Sequence, residues 1–224
     1  KILSSMGIHL TAYTRSIGPV SISDDHFDPS AISETSTCMP DREADARASA
    51  FLAQCMKEHD SAGGVVECVV SGVPAGIGDP VFEKLDAMLS MAVMSIGAVK
   101  AVEIGDGIAA ASRKGSENND AFYADHGQIK KKTNHAGGIL GGISDGSEII
   151  LRAHFKPTPS IFQKQHTVTN TLENTELEIR GRHDPVVVPR AVVVVECMTA
   201  LTILDACMKN MTARLDYLVD FYQS

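Results

Sequence analysis

Apolar positions along the chain recur with two periods, and the switch between them marks out the elements. Ser5 to Val20 alternates loosely, contains Ile8, Leu10, Ala12, Tyr13 and Ile17, and predicts a strand. The β-branched run Val65–Ser71 predicts another, and Val99–Ile104 and Glu148–Phe155 are expected to be two more. Extended segments are expected around Ile161–Val168 and Leu177–Ile179. Helical spacing appears at Ala44, Ala48, Phe51/Leu52 and Cys55/Met56. Asp41 is placed to cap that helix, Glu43 and Asp45 sit in its first turn, where the dipole favours negative charge, and Gly63-Gly64 is expected to end it. Asp79-Pro80 predicts the start of a second helix, with Val81, Leu85, Met88/Leu89 and Ala92 on one side. A long helix is expected from Pro189. Its first half is apolar almost all round, so burial is expected. Its second half carries Leu201, Leu204, Met208, Met211, Leu215, Leu218 and Tyr222 at steps of three and four, a seam that asks for a partner surface in its own subunit or on another copy. Gly115–Thr133 is polar, charged and weakly periodic, and predicts a mobile flap. Several strands are joined by short turns with no helix between, which favours an α+β sandwich over a purely parallel doubly wound sheet.

Composition narrows the function classes. With 44% hydrophobic residues in 224, the chain can bury a sizeable core, and without Trp that core must rest on Val, Ile, Leu, Met and Ala. A net charge of −8 argues against a general nucleic-acid binder, and the one basic run, Lys130-Lys131-Lys132, reads as a solvated loop. Cys38, Cys55, Cys68, Cys197 and Cys207 are odd in number, lack C-x-x-C spacing and lie among apolar neighbours, so they read as reduced thiols of a cytoplasmic protein. Arg190, Glu196 and Asp205 make the apolar stretch Val186–Cys207 a poor membrane span. Lys1-Ile2-Leu3 opens as if in mid-element, which suggests a truncated chain.

Four stretches could carry chemistry. Gly105-Asp106-Gly107-Ile108-Ala109-Ala110 matches G-x-G-x-x-A after a predicted strand, the pattern of a dinucleotide loop, but lacks the acidic residue that should follow a second strand. Asn134–Gly146 holds Gly137, Gly138, Gly141 and Gly142, a backbone that something approaches closely, either a crossing strand or a flat ligand; His135 beside it reads as a structural histidine. Lys156-Pro157-Thr158-Pro159-Ser160 gathers a cation, two hydroxyls and a rigid turn, a set suited to phosphate or simply a proline turn. Arg180-Gly181-Arg182-His183-Asp184-Pro185 concentrates charge before the long helix. Arg182 is suited to clamp an anion and Asp184 to act at a heteroatom, with a salt-bridged loop as the plain alternative.

In this order, with Ser71–Phe82 and Val102–Gly107, these stretches resemble successive blocks of the chorismate synthases over essentially the whole chain. The resemblance implies a β-α-β sandwich and a carbon–oxygen lyase that binds reduced FMN. Such an enzyme eliminates phosphate from 5-enolpyruvylshikimate 3-phosphate to give chorismate, the last common step of aromatic amino-acid biosynthesis. It further implies a cytoplasmic homotetramer, an association with NADP, and neither nucleic-acid nor membrane partners. Gly105–Ala110 then becomes a family turn rather than a dinucleotide loop. By the same resemblance Gly97, Ala98, Gly141, Lys156, Pro157, Thr158, Pro159, Ser160 and Arg182 are expected to contact FMN, Arg182 also the substrate, and Asp184 to be the catalytic residue beside the flavin. The glycine stretch, the lysine–proline turn and the Arg-His-Asp corner are expected to form one wall. Residues 1–224 resemble a single C-terminal portion of the family. The family's two catalytic-histidine blocks have no counterpart, so the chain alone is expected to be inactive. A non-catalytic module binding flavin or phosphate is the alternative.

Overall fold

The computed structural model describes residues 1–179, 181 and 184–223. A short helix, α1 (Ile2–Ser5), leads into strand β1 (His9–Ile17), which turns back as β2 (Val20–Ser21). Two 3₁₀ turns cross the linker before α2 (Arg42–Lys57) and β3 (Gly64–Ser71). Next come α3 (Leu85–Met94), β4 (Val99–Ile104), a 3₁₀ turn over Gly107–Ser112 and α4 (Gly115–Asn118). Two hairpins follow, β5 (Phe122–Asp125) with β6 (Gln128–Lys131), and β7 (Ile139–Leu140) with β8 (Ile143–Ser144). Strand β9 (Ile149–Phe155), the hairpin β10 (Gln165–Val168)–β11 (Asn174–Leu177) and helices α5 (Val188–Asn210) and α6 (Leu215–Gln223) complete the chain. The main sheet runs in the order β2-β1-β3-β9-β4, and the named hairpins are antiparallel. This is the α+β architecture that the short turns predict.

The chain forms two compact units. The first comprises Lys1–Ala12, Glu67–Ala153 and Val193–Ser224; its core holds Cys68, Val70, Leu85, Leu89, Ile149, Leu151, Val195 and Ile203. The second comprises Tyr13–Val66 and His154–Val192, around Tyr13, Ile17, Met39, Ala44, Ala48, Val66 and Val188. Strand β9 alternates buried and half-buried positions without a break, the period-2 pattern of a strand with one face in the core.

Asp41 caps α2 as its position predicts. Its carboxylate accepts the N–H groups of Glu43 and Ala44 at 3.0 Å each, and that of Ser23 at 3.0 Å. Helix α2 nevertheless ends at Lys57, before Gly63-Gly64, because His59 turns the chain at φ 58°. The two glycines serve close packing instead. A Cβ on Gly63 would stand 2.4 Å from the Phe155 carbonyl oxygen, and one on Gly64 2.2 Å from that of Ser16. Helix α3 starts at Leu85 rather than after Asp79-Pro80, and Val81 is exposed. The Leu85 N–H finds its acceptor in the Gly142 carbonyl at 2.8 Å, so a tertiary partner fixes where the helix begins.

The long helix differs from expectation in two ways. It breaks after Asn210, whose side chain donates to the Gly76 carbonyl at 2.9 Å, and α6 begins only at Leu215. Its first half buries one face: Val188, Ala191, Val192 and Val195 are buried, while Val193 and Val194 are exposed. By length and composition alone α5 is apolar enough to cross a membrane, yet its buried face supplies core side chains. Leu201, Met208, Met211, Leu215 and Tyr222 of the expected seam are exposed.

The stretch read as a flap forms α4 and the β5–β6 hairpin. Lys131 is not solvated, since only 4% of its side chain is exposed. Its ammonium lies 2.7 Å from Asp145 and 3.3 Å from Asp120, and donates to the Asn134 side chain at 3.2 Å. Burial raises the Asp120 pKa, but the Ala136 N–H, the Thr133 hydroxyl, the His135 N–H and Lys131 outweigh it and hold the carboxyl below the usual range. Asp145 is depressed likewise, against burial, by Lys131 and Ser147.

Replacing Lys131 by Met strands two buried carboxylates and is expected to cost about 3–5 kcal/mol in urea denaturation, whereas Lys130→Met, at an exposed pair, costs under about 1 kcal/mol. Because the folded pKa values of Asp120 and Asp145 are lowered, their contribution is complete above the unfolded carboxylate value of about 4 and declines as pH falls below it. The Lys131→Met variant should show a flatter acid limb.

Candidate functional site

The Lys156–Ser160 turn leaves the end of β9 inside the second unit. Pro157 and Pro159 fix two φ angles of the five residues, so the turn is stiff before any tertiary contact forms. It is braced from one side by Ser61, whose hydroxyl donates to the Thr158 carbonyl at 2.7 Å. On the other side the Gln165 side chain donates to the Pro159 carbonyl at 3.0 Å. Lys156 is exposed and makes no ion pair among the described residues.

Asp184 reaches the same unit from the stretch before α5. The N–H of Ala62 donates to the Pro185 carbonyl at 2.8 Å, and Ala62 pairs with Val186 as a parallel bridge. The Asp184 carboxylate is half-buried and lies 2.6 Å from an Arg190 nitrogen, in a pair open enough to water to contribute little stability. Ser160 and Asp184 line one concavity of about 170 Å³ with His59, Asp60, Ser61 and Phe162. His59 sits edge-on to Phe162, their rings 6.0 Å apart. That volume is below the ~300–1,000 Å³ usual for a whole ligand, so it suits part of one. Two stretches far apart in sequence are thus joined, and Arg182, with Arg180 and His183, lies outside the described residues. The brace at Asp60–Gly63 was missed in the sequence, where the glycine pair read only as a helix stop.

The remaining candidates belong to the first unit. Gly141 and Gly142, at φ 60° and 89°, form the two-residue turn between β7 and β8, the type I′ geometry that matches strand twist. Gly142 is enclosed, and a Cβ there would meet the Asp79 carbonyl oxygen at 2.5 Å. Gly141 is exposed and a Cβ there would meet nothing within 4 Å, so the fold does not need its bareness for packing. Gly97 and Ala98 turn the chain from α3 into β4, with Ala98 at φ 71°.

The glycine pattern at 105–110 does not make a nucleotide loop. It opens a 3₁₀ turn rather than an α-helix, and the Ile108 N–H is taken by the Glu103 carboxylate at 3.1 Å. A Cβ on Gly105 would meet the His135 carbonyl oxygen at 2.2 Å, so this glycine serves close packing against the Asn134–Gly138 stretch. His135 is structural, its Nδ1 2.7 Å from an Asp106 oxygen that also lies 2.6 Å from Arg113. Burial pushes the Cys68 thiol up to about 12, and the thiols of Cys38, Cys55 and Cys207 upward as well, which keeps them protonated at neutral pH. Among the described residues, no group of three or more His, Cys, Asp or Glu is arranged to hold a metal ion.

A family model described as chorismate synthase matches residues 1–208. A chorismate synthase of Agathobacter rectalis is 56% identical over 223 residues, covering 100% of this chain and 61% of the relative. One from Lachnoclostridium phytofermentans is 53% identical over 223 residues, covering 99% and 61%. One from Archaeoglobus fulgidus is 56% identical over 171 residues, covering 76% and 47%. A crystal structure of chorismate synthase is similar with a TM-score of 0.78 at 28% identity, covering 94% of this chain and 60% of that one. The chain spans about three-fifths of the length of the first two relatives.

Gly63→Ala is expected to lower stability by more than about 2 kcal/mol, since a Cβ 2.4 Å from a carbonyl oxygen forces the backbone apart. Gly141→Asn, which gives the Asn-Gly turn favoured in such hairpins, should leave the urea midpoint unchanged or raise it.

Proposed function

We propose, because the chain belongs to the chorismate synthase family, that it serves the lyase reaction converting 5-enolpyruvylshikimate 3-phosphate to chorismate. The elimination removes one proton and one phosphate from the substrate in a 1,4-anti sense, with no net change of oxidation state. The observation that best supports the reading is the meeting of Ser160 and Asp184 in one concavity, since they come from two separate stretches of the family likeness.

The donor set fits the phosphate tail of FMN. Lys156 offers an exposed charge without a partner among the described residues, and Thr158 and Ser160 add hydroxyls on a turn already stiffened by two prolines. Gly141 fits the flat part of the ligand, because its exposed surface lets a ring approach the backbone. Reduced FMN, when bound, supplies transient electron density to the elimination. Lys156, Thr158, Pro159 and Ser160 hold it, with Pro157 shaping the turn, and Gly97, Ala98 and Gly141 are further contacts. Arg182 serves both flavin and substrate. Asp184 is the catalytic carboxylate beside the flavin, and Arg190 restrains its direction.

The reading extends to a cytoplasmic homotetramer associated with NADP, with residues 115–133 acting as a flap. The exposed apolar side chains of α5 and α6, such as Leu201, Leu215 and Tyr222, support association between copies. The 224 residues alone are proposed to lack turnover, because groups that act as a unit fail together and the chain spans only 61% of its relatives.

Anaerobic assay of chorismate formation with reduced FMN tests this. The chain alone should show no turnover, and a fusion to the remaining two-fifths of the Agathobacter rectalis relative should restore it. In that fusion Asp184→Asn is expected to lower kcat by about 10²–10⁴-fold. A fusion that binds FMN but never turns over would instead make the chain a non-catalytic flavin- or phosphate-binding module. Gly141→Asn should weaken FMN binding at unchanged stability; undiminished affinity in a flavin fluorescence titration would remove Gly141 from the site.

A further inference from the structure

Residues 60–63 follow the reversal at His59 and lie against both stretches that line the concavity of the second unit. Ser61 donates its hydroxyl to the Thr158 carbonyl at 2.7 Å. The next residue, Ala62, donates its N–H to the Pro185 carbonyl at 2.8 Å and pairs with Val186. Gly63 comes third, and a Cβ there would stand 3.2 Å from Pro157 Cδ as well as 2.4 Å from the Phe155 carbonyl oxygen. Three consecutive residues thus fix the lysine–proline turn and the residue after Asp184 against one short stretch of backbone. Between Pro157 and Pro159 the turn has few free dihedrals, so one hydrogen bond to the Thr158 carbonyl orients the peptide that leads to Ser160.

We infer that Ser61 is a positioning residue, whose hydroxyl sets the Thr158–Ser160 turn so that the turn accepts the phosphate tail of the flavin. Ser61 acts through Thr158. The inference rests on the reading of this turn as the phosphate-holding part of the site.

Fluorescence titration of the 224-residue chain with FMN and with riboflavin, which lacks the phosphate, tests the inference. The unsubstituted chain should favour FMN by a factor on the order of ten. Ser61→Ala should weaken FMN binding about fivefold and leave riboflavin binding unchanged, while Ser61→Thr, which keeps the donor, restores the FMN value. Ser61→Cys, of similar size but a poor donor, should behave as Ser61→Ala, and serves in its place should the alanine variant fold poorly. Equal losses for FMN and riboflavin, an undiminished FMN preference in both the Ala and Cys variants, or a failure of Thr to rescue would each overturn the positioning role. An unsubstituted chain that shows no preference for FMN over riboflavin overturns the phosphate reading and the inference with it. That result is seen before any substitution is made, so it is distinct from failure of the Ser61 role alone.

Discussion

The second unit depends on a close approach of backbones that only glycine permits. Gly63 and Gly64 lie so near the carbonyls of Phe155 and Ser16 that any side chain would force β3 away from its neighbours. Once that separation is set, the preceding two residues have little choice of partner. Ser61 meets Thr158 and Ala62 meets Pro185, and both contacts are hydrogen bonds of ordinary length. The concavity lined by Ser160 and Asp184 therefore follows from a packing requirement at the start of a strand.

Charge is handled differently in the first unit. Lys131, Asp120 and Asp145 are nearly all out of water, and removal of Lys131 would leave the two carboxylates uncompensated. Glu67, also buried, is met by the Arg152 side chain, which donates as well to the Gly105 carbonyl at 2.8 Å. These contacts tie the Gly105 turn, the Asn134–Gly138 stretch and the β5–β6 hairpin to the core. The polar surroundings of the Gly-rich segment thus support its backbone, and Gly141 at the hairpin tip remains bare to solvent.

Family membership and geometry bear on different parts of the functional reading. The likeness over residues 1–208 identifies the family. The structure adds that the lysine–proline turn and Asp184 meet in one unit, held by a strap that contributes no charge of its own at Ala62 or Gly63. The concavity of about 170 Å³ is smaller than the ~300–1,000 Å³ usual for a whole ligand.

The sequence by itself determined the strands at β3, β4 and β9, the cap at Asp41, the α+β class and the family, because local periodicity, capping chemistry and motif order are written in adjacent residues. Tertiary structure decided the rest. The same Gly-Gly pair that can end a helix can also admit a crossing strand, and only the neighbouring carbonyls distinguish the two. Asp79-Pro80 looks like a helix start, but the acceptor for the first helical N–H was the Gly142 carbonyl, 57 residues beyond Leu85, as their numbering gives. Lys131 sits in a basic run that reads as solvated until Asp120 and Asp145 are seen to converge on it. Partners that lie far along the chain leave no periodic trace, so a hydrogen bond such as Ser61 to Thr158 could be found only where the fold brought its two ends together.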